Sequence, residues 1–287
     1  MTAARLDVHL VSVGLARSRG QARELIDSGA VTVDGRVATR ASERVGPDNV
    51  VEATADPWVG RAAYKLLAAL DLFSTGDAPA RPAAGARCLD IGASTGGFTQ
   101  VLLARGAAAV VALDVGHGQL ATVVADDQRV EERSGVNVRD VRAGDLGEPF
   151  DIVVGDLSFI SLRYVWPVLA QQLAADGDAI MLVKPQFEVG RERLGKGGVV
   201  RSERERLRAV REALLAACAS GLMPVRLATS PLQGGSGNVE YLVLLRHATA
   251  PADHQNERTG ARGRALDSTG GEATVERLIE RLDEGLT

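Results

Sequence analysis

Lysine is nearly missing from this chain. Of 33 basic side chains in 287 residues, only Lys65, Lys184 and Lys196 are lysines; every other one is arginine. A cation on a solvated face can be either residue. A position that must lose a proton cannot be arginine, whose guanidinium stays charged in proteins. Each surviving lysine is therefore a candidate for proton chemistry. Cysteine is as sparse. Cys88 and Cys218 stand apart with no CxxC spacing, which excludes a disulfide framework and fits a reducing cytoplasm. Four scattered histidines, His9, His117, His247 and His254, give no metal-ligand spacing, so no metal is expected. No apolar run approaches the length of a membrane span, and MTAARLDVHLVSVGL at the start has no continuous apolar region or cleavage signal. The expectation is a soluble cytoplasmic protein without stable membrane association.

What is present suffices for a sizeable core: 45% of residues are hydrophobic. The net charge of -4 argues against a chain that is basic throughout. Its distribution is uneven. Residues 191–211 hold eight basic side chains against three acidic ones. That pattern fits a solvated, internally paired helix or an edge that tracks phosphates.

Residues 1–54 read as a unit of their own. Leu6, Leu10 and Val13 have helical spacing, as do Ala22, Leu25 and Ile26 behind a Ser18 cap. Two short alternating strands flank an Asp34-Gly35 turn, and NVVEA closes the unit. Residues 55–60 read as a linker broken by Pro57. From 61 to 247 the pattern alternates strand and helix, with strands expected at 87–92, 108–115, 151–156, 179–184 and 240–246. That is a doubly wound α/β domain. Residues 248–287 are polar and expected to be largely disordered, with a short terminal helix carrying Val275, Leu278, Ile279 and Leu282.

In CLDIGASTGGFTQ, residues 88–100, a buried strand runs into a glycine-rich turn and a helix. Gly92, Gly96 and Gly97 are expected to let a ligand lie against the backbone. Asp114 ends the next strand about 20 residues on, where a carboxylate can take ribose hydroxyls. The spacing is not the GxGxxG of a pyrophosphate site, and Asp90 suits a ligand bearing an ammonium or sulfonium group. That favours S-adenosylmethionine over a nicotinamide dinucleotide, with Asp90, Gly92, Ser94, Thr95, Gly96, Gly97, Phe98 and Asp114 as the cofactor residues. Asp156 in VVGDLSFIS and Lys184 in MLVKPQFEVG end later strands, where ligands of open α/β sheets bind. Glu240 opens an apolar strand, and Lys65 lies on a helix ahead of the sheet.

These motifs carry a family resemblance. RLDVHLVSVGLARSRGQARELIDSGAVTVDGRVATRASERV is similar to an S4 RNA-binding domain. DIGASTGGFT, GDLSFIS, LVKPQFE, GKGGVVR and GNVEYL, in that order, resemble an FtsJ-type methyltransferase with a seven-stranded Rossmann-like sheet. Together, over residues 5–247, they resemble the TlyA family, whose members are described both as hemolysins and as rRNA cytidine-2′-O-methyltransferases. The resemblance implies a catalytic tetrad of Lys65, Asp156, Lys184 and Glu240, S-adenosylmethionine as cofactor and ribosomal RNA as partner. Here RAAYKL stands where the family often has RGGxKL. The S4 likeness implies that Arg17, Arg19 and Arg23 face RNA; Arg61, Arg191, Arg193, Lys196 and Arg201 are the RNA candidates of the second domain. On this expectation Lys184 is the base or the cation at a ribose hydroxyl, with Lys65 opposing it as a like charge. The alternatives are a membrane-lysing protein and an RNA-binding protein with an inactive methyltransferase domain.

Overall fold

The computed structural model describes residues 3–16, 18–27, 29–54, 56–76, 78–195, 197–248 and 268–283. The chain forms two compact units, Met1–Trp58 and Val59–Thr287, dividing inside the stretch read as a linker.

The first unit begins with β1 (Ala4–Arg5), α1 (Leu6–Ser12) and α2 (Arg19–Asp27). It continues through β2 (Val31–Val33), β3 (Arg36–Val37), β4 (Arg44–Val45) and β5 (Val51–Ala53). The strands form a sheet in the order β3-β2-β5 and a separate β1-β4 pair. Leu6, Leu10, Ala22, Leu25 and Ile26 pack with Val31, Val33 and Val45 in one core. The Asp34-Gly35 turn has positive φ at both residues, 51° and 74°, as a tight hairpin turn needs. Asp34 is held there because its carboxylate accepts from Val50 N–H and Asn49 Nδ2.

The second unit runs α3 (Ala62–Phe73), β6 (Arg87–Ile91), α4 (Gly97–Ala104), β7 (Ala109–Asp114), α5 (Thr122–Ala125), β8 (Val130–Ser134) and β9 (Phe150–Gly155). Then come α6 (Trp166–Gln172), β10 (Leu173–Val183), α7 (Pro185–Glu188), α8 (Glu203–Ala219), β11 (Leu222–Thr229), β12 (Tyr241–His247) and α9 (Ser268–Asp283). Seven strands form one sheet in the order β11-β12-β10-β9-β6-β7-β8. β6 to β10 are parallel; β12 is antiparallel to β10, and β11 to β12. The largely apolar, buried runs within β6, β7, β9, β10 and β12 fit a sheet covered on both faces. From β6 the chain winds to β7 and β8 on one side, then returns to place β9 and β10 on the other. The strand ends at that reversal form the crevice where such sheets bind ligands.

Two strands of the second unit escaped the sequence pattern, as did the short β1 and β4 of the first. β8, VEERS, is an edge strand whose three central residues are exposed charges. β11 contains Pro224, which cannot donate to a ladder; the edge position and a register shift between Pro224 and Arg226 accommodate it. The expected terminal helix is present and longer than expected. α9 starts at Ser268, well before Val275, and it docks. Val275 is fully buried, and Leu278, Ile279 and Leu282 join the main core. Arg211 of α8 pairs with Glu272 and Glu276 of α9. Residues 249–267 lie outside the described ones. Among the described residues, no helix is long and apolar enough to cross a membrane.

Candidate active site

Lys65, Asp156, Lys184 and Glu240 come from four elements and meet at one edge of the sheet. Asp156 and Lys184 directly follow the parallel neighbours β9 and β10, whose register pairs Met181 with Gly155. Glu240 precedes β12, and the antiparallel reversal of that strand, with Val183 opposite Tyr241, brings its start to the same edge. Lys65 lies on the buried face of α3, in line with Ala69 and Phe73 at i+4 and i+8. Pro185, with no N–H to donate, ends β10 and begins α7 directly behind Lys184.

The four side chains form an alternating row of charges. Lys65 Nζ donates to Glu240 Oε2 at 2.7 Å and to Asp156 Oδ2 at 3.2 Å. Lys184 Nζ lies 2.6 Å from Asp156 Oδ1 and donates to Ser158 Oγ at 3.0 Å. The sequence reading set the two amines against each other; the structure places Asp156 between them, one oxygen for each. Lys65, Lys184 and Glu240 are all buried, and burial of charges is tolerable only when each is paired, as here. Beside the row opens a cavity of about 570 Å³, lined among others by Lys65, Lys184, Glu240, Ser158, Phe159 and Ser236. That volume suits a small organic ligand or one nucleotide.

Phe159 is the most exposed large apolar side chain described, at 91%. It carries a left-handed backbone, φ 63°, strained for a non-glycine residue. Its ring lies 5.1 Å from that of Phe187, tilted by 49°. Ser158 and Phe159 were not among the residues expected at the site. An aromatic side chain in a strand-end segment that needs no core residue was the available signal.

Around the glycine-rich turn the expected cofactor residues separate into two groups. Asp90 is buried; Thr99 donates to its Oδ2 from backbone N–H at 2.9 Å and from Oγ1 at 2.7 Å, while Oδ1 is buried without a partner. Burial pushes the Asp90 carboxyl up to about 7, against the pull of the Thr99 hydrogen bonds. Asp114 accepts Ser94 N–H and Gly116 N–H, each at 2.8 Å. Ser94 and Thr95 are exposed on the turn. The glycines also serve protein packing. A Cβ on Gly92 would lie 3.0 Å from Leu157, one on Gly96 would lie 2.8 Å from Leu120, and one on Gly97 would lie 3.1 Å from Ala63 N. Gly92 and Gly96 also hold φ of 82° and 91°. Phe98 is a buried core residue, not a cavity wall. An unpartnered buried carboxylate oxygen fits the ammonium of S-adenosylmethionine, and Asp114 fits its ribose. The space beside Asp114 measures about 10 Å³ and is lined by Gln119 and Leu120 among others.

The expected RNA residues are spread over both units. In the first, Arg5, Arg19 and Arg23 surround Asp7, which is fully buried, at 2.9, 3.0 and 3.5 Å. The Arg5 hydrogen bond, with Arg19 beside it, holds the Asp7 carboxyl far below the usual range. Arg19 and Arg23 remain about half exposed. In the second unit, Arg61 is exposed, with its guanidinium beside Gly235 at the cavity rim. Arg193 and Arg201 flank a second opening at the start of α8. The later part of the basic run is consumed internally: Arg206 donates to Val200 and Arg201 carbonyls, Arg208 pairs with Glu212, and Arg211 pairs with α9. Arg17, Lys196 and the Arg191 side chain lie outside the described residues. Among the described residues, no group of three or more His, Cys, Asp and Glu could hold a metal ion.

Comparison with known proteins places this geometry in a family. An FtsJ-like methyltransferase model matches residues 58–247, and an S4 domain model matches residues 4–51. The chain is 45% identical over 279 residues to the 16S/23S rRNA (cytidine-2′-O)-methyltransferase TlyA of Mycobacterium tuberculosis, covering 96% of this chain and 97% of that protein. It is 35% identical over 240 residues to Hemolysin A of Brachyspira hyodysenteriae, covering 83% and 98%. A solved structure of a candidate hemolysin from Streptococcus thermophilus is similar over 99% of both chains, with 31% identity and a TM-score of 0.67.

Proposed function

The chain belongs to the TlyA family of S4-domain, FtsJ-like methyltransferases, and on that premise we propose that it methylates the ribose 2′-hydroxyl of a cytidine in ribosomal RNA. The observation that carries this is the closed row Glu240–Lys65–Asp156–Lys184 beside a cavity of nucleotide size. S-adenosylmethionine, when bound, supplies an electrophilic methyl group whose bonding pair stays with sulfur. Asp90 and Asp114 hold its charged and ribose ends. The ribose oxygen gains the methyl and must lose its proton. Lys184 takes that proton in its neutral form, after releasing one of its own to solvent, so that its two N–H groups face Asp156 and Ser158 and its lone pair faces the hydroxyl. Two of the directions around its nitrogen are set by Asp156 and Ser158, which leaves another for the substrate oxygen. Lys65 and Glu240 fix Asp156, and Asp156 fixes Lys184. Such positioning can supply about 7 kcal/mol or more of the barrier reduction.

Phe159, exposed at the cavity mouth, suits stacking on a nucleotide drawn out of its helix. The Asp7-ordered arginines of the first unit, with Arg61, Arg193 and Arg201 of the second, supply phosphate contacts whose strength falls with salt. Such a substrate puts the protein in the cytoplasm.

The test uses purified protein, radiolabelled S-adenosylmethionine and separate small and large ribosomal subunits from a strain lacking this gene. Label recovered as 2′-O-methylcytidine supports the assignment and names the subunit. Absence of label on both subunits, from protein that binds the cofactor, removes the ribosome from the assignment.

A further inference from the structure

The segments that follow β9 and β10 are tied together rung by rung. At the first rung Lys184 donates to Ser158 Oγ at 3.0 Å. At the second the Phe187 and Phe159 rings meet at 5.1 Å. At the third Glu188, the last residue of α7, accepts from Ser161 Oγ at 2.6 Å and from Leu162 N–H at 2.8 Å. The first two rungs hold a reacting group and a surface aromatic. The third touches neither, and the proposed chemistry has no use for it.

We propose that Glu188 is a positioning residue that latches segment 157–162 onto α7, holding Ser158 against Lys184 and Phe159 at the cavity mouth. The proposal rests on the reading of Lys184 as the transfer lysine. A half-buried carboxylate persists where its oxygens are satisfied, and each oxygen of Glu188 has one partner on this segment. Both bonds are charge-assisted and therefore stronger than neutral ones. Burial nevertheless raises the pKa of Glu188, so the carboxylate is kept at a cost that two bonds to one short segment explain. Phe159 requires such an anchor. Its left-handed φ of 63° endures only where the surroundings over-determine it, and Glu188 binds the chain two and three residues further on. Released from the latch, Phe159 would relax to negative φ and carry Ser158 off Lys184.

The test compares wild type with Glu188→Ala and Glu188→Gln. Amide hydrogen exchange is followed at Phe159 and Leu162, alongside single-turnover methyl transfer and cofactor affinity. Glu188→Ala should speed exchange at Leu162 about tenfold and slow transfer by about 10- to 100-fold, the scale of a small misplacement, with cofactor affinity unchanged. Glu188→Gln should stay within about threefold on both measures, because its amide oxygen still accepts Leu162 N–H and its NH₂ can donate to Ser161 Oγ. Unchanged exchange in Glu188→Ala overturns the latch. Faster exchange with undiminished transfer overturns the positioning role, and so does a Glu188→Gln as slow as Glu188→Ala. Wild type that methylates no ribosomal subunit, combined with faster Glu188→Ala exchange, would remove the ribosome from the proposed function and uphold the latch.

Discussion

Lys184→Arg separates a proton acceptor from a fixed positive charge. Arginine keeps the cation and can still pair with Asp156, which lies 2.6 Å from the lysine nitrogen. It cannot give up its own proton to become a base. If Lys184 takes the hydroxyl proton, the substitution removes general-base catalysis, a loss of about 10²–10⁴-fold. At about 1.36 kcal/mol per decade that is roughly 3–5 kcal/mol of transition-state stabilisation. If Lys184 only offers charge to the forming alkoxide, the guanidinium should retain most of the rate. Burial complicates the comparison, since the Lys184 side chain is only 9% exposed and arginine is wider. Lys184→Met is therefore run in parallel. It keeps the length and removes both the charge and the proton site. The assay is single-turnover transfer of labelled methyl from prebound cofactor, which isolates chemistry from product release. Cofactor affinity and melting temperature serve as controls. A Lys184→Arg rate within about tenfold of wild type, with Lys184→Met inactive, would refute the base role.

Lys65→Met leaves Glu240 and Asp156 without their shared cation; urea unfolding should show a loss of about 3–5 kcal/mol, and Lys65→Met with Glu240→Gln should recover part of it. The Asp90 carboxyl, raised from 3.8 to about 7, binds its proton more readily folded than unfolded. Its contribution to stability is therefore full below 3.8 and is lost as pH rises towards 7; Asp90→Asn should flatten that slope in pH-dependent unfolding. A cofactor ammonium beside Asp90 favours the ionised form, so cofactor affinity should rise with pH up to about 7 in wild type and not in Asp90→Asn, measured by calorimetry. Asp7 works with the opposite sign. Its pKa is depressed, so its contribution is present above 3.8 and is lost as pH falls below it. Asp7→Asn should weaken RNA binding as well, because Arg5, Arg19 and Arg23 lose their common anchor; unchanged affinity in a filter-binding salt series would show that the patch does not need it.

Much of the second unit was legible because burial on both faces imposes a simple pattern. Largely apolar runs marked β6, β7, β9, β10 and β12, and Asp156, Lys184 and Glu240 at the ends of three of them meet with Lys65 in the candidate site. What escaped has a tertiary cause. β8 lies at an edge with three exposed charges, so nothing in its sequence demands a strand. β11 contains a proline that only an edge strand accepts. α9 begins with Ser268, Thr269, Gly270 and Gly271, poor helix formers, and gains its extra turns by docking on α8. The glycines of the turn illustrate a subtler difference. Their position was foreseeable, yet what each excludes is a protein neighbour that only the fold brings near. Glu188 lies 27 residues from Ser161, and no spacing rule joins them.

On the proposed function, two of the three lysines, Lys65 and Lys184, answer two separate physical necessities. Lys65 sits between two carboxylates, 2.7 Å from one and 3.2 Å from the other, in a buried gap. A compact ammonium with three donors can serve both; a planar guanidinium directs its bonds into a fork suited to one carboxylate. The requirement at Lys65 is therefore size and donor geometry, felt as stability. Lys184 meets one oxygen of one carboxylate, an arrangement that arginine could also make. What arginine cannot make there is a neutral nitrogen. On the proposed function, the requirement at Lys184 is a proton that moves, felt as rate. One row of four charges thus holds one lysine for its shape and another for its chemistry, and Asp156 joins the two requirements by offering each amine a separate oxygen.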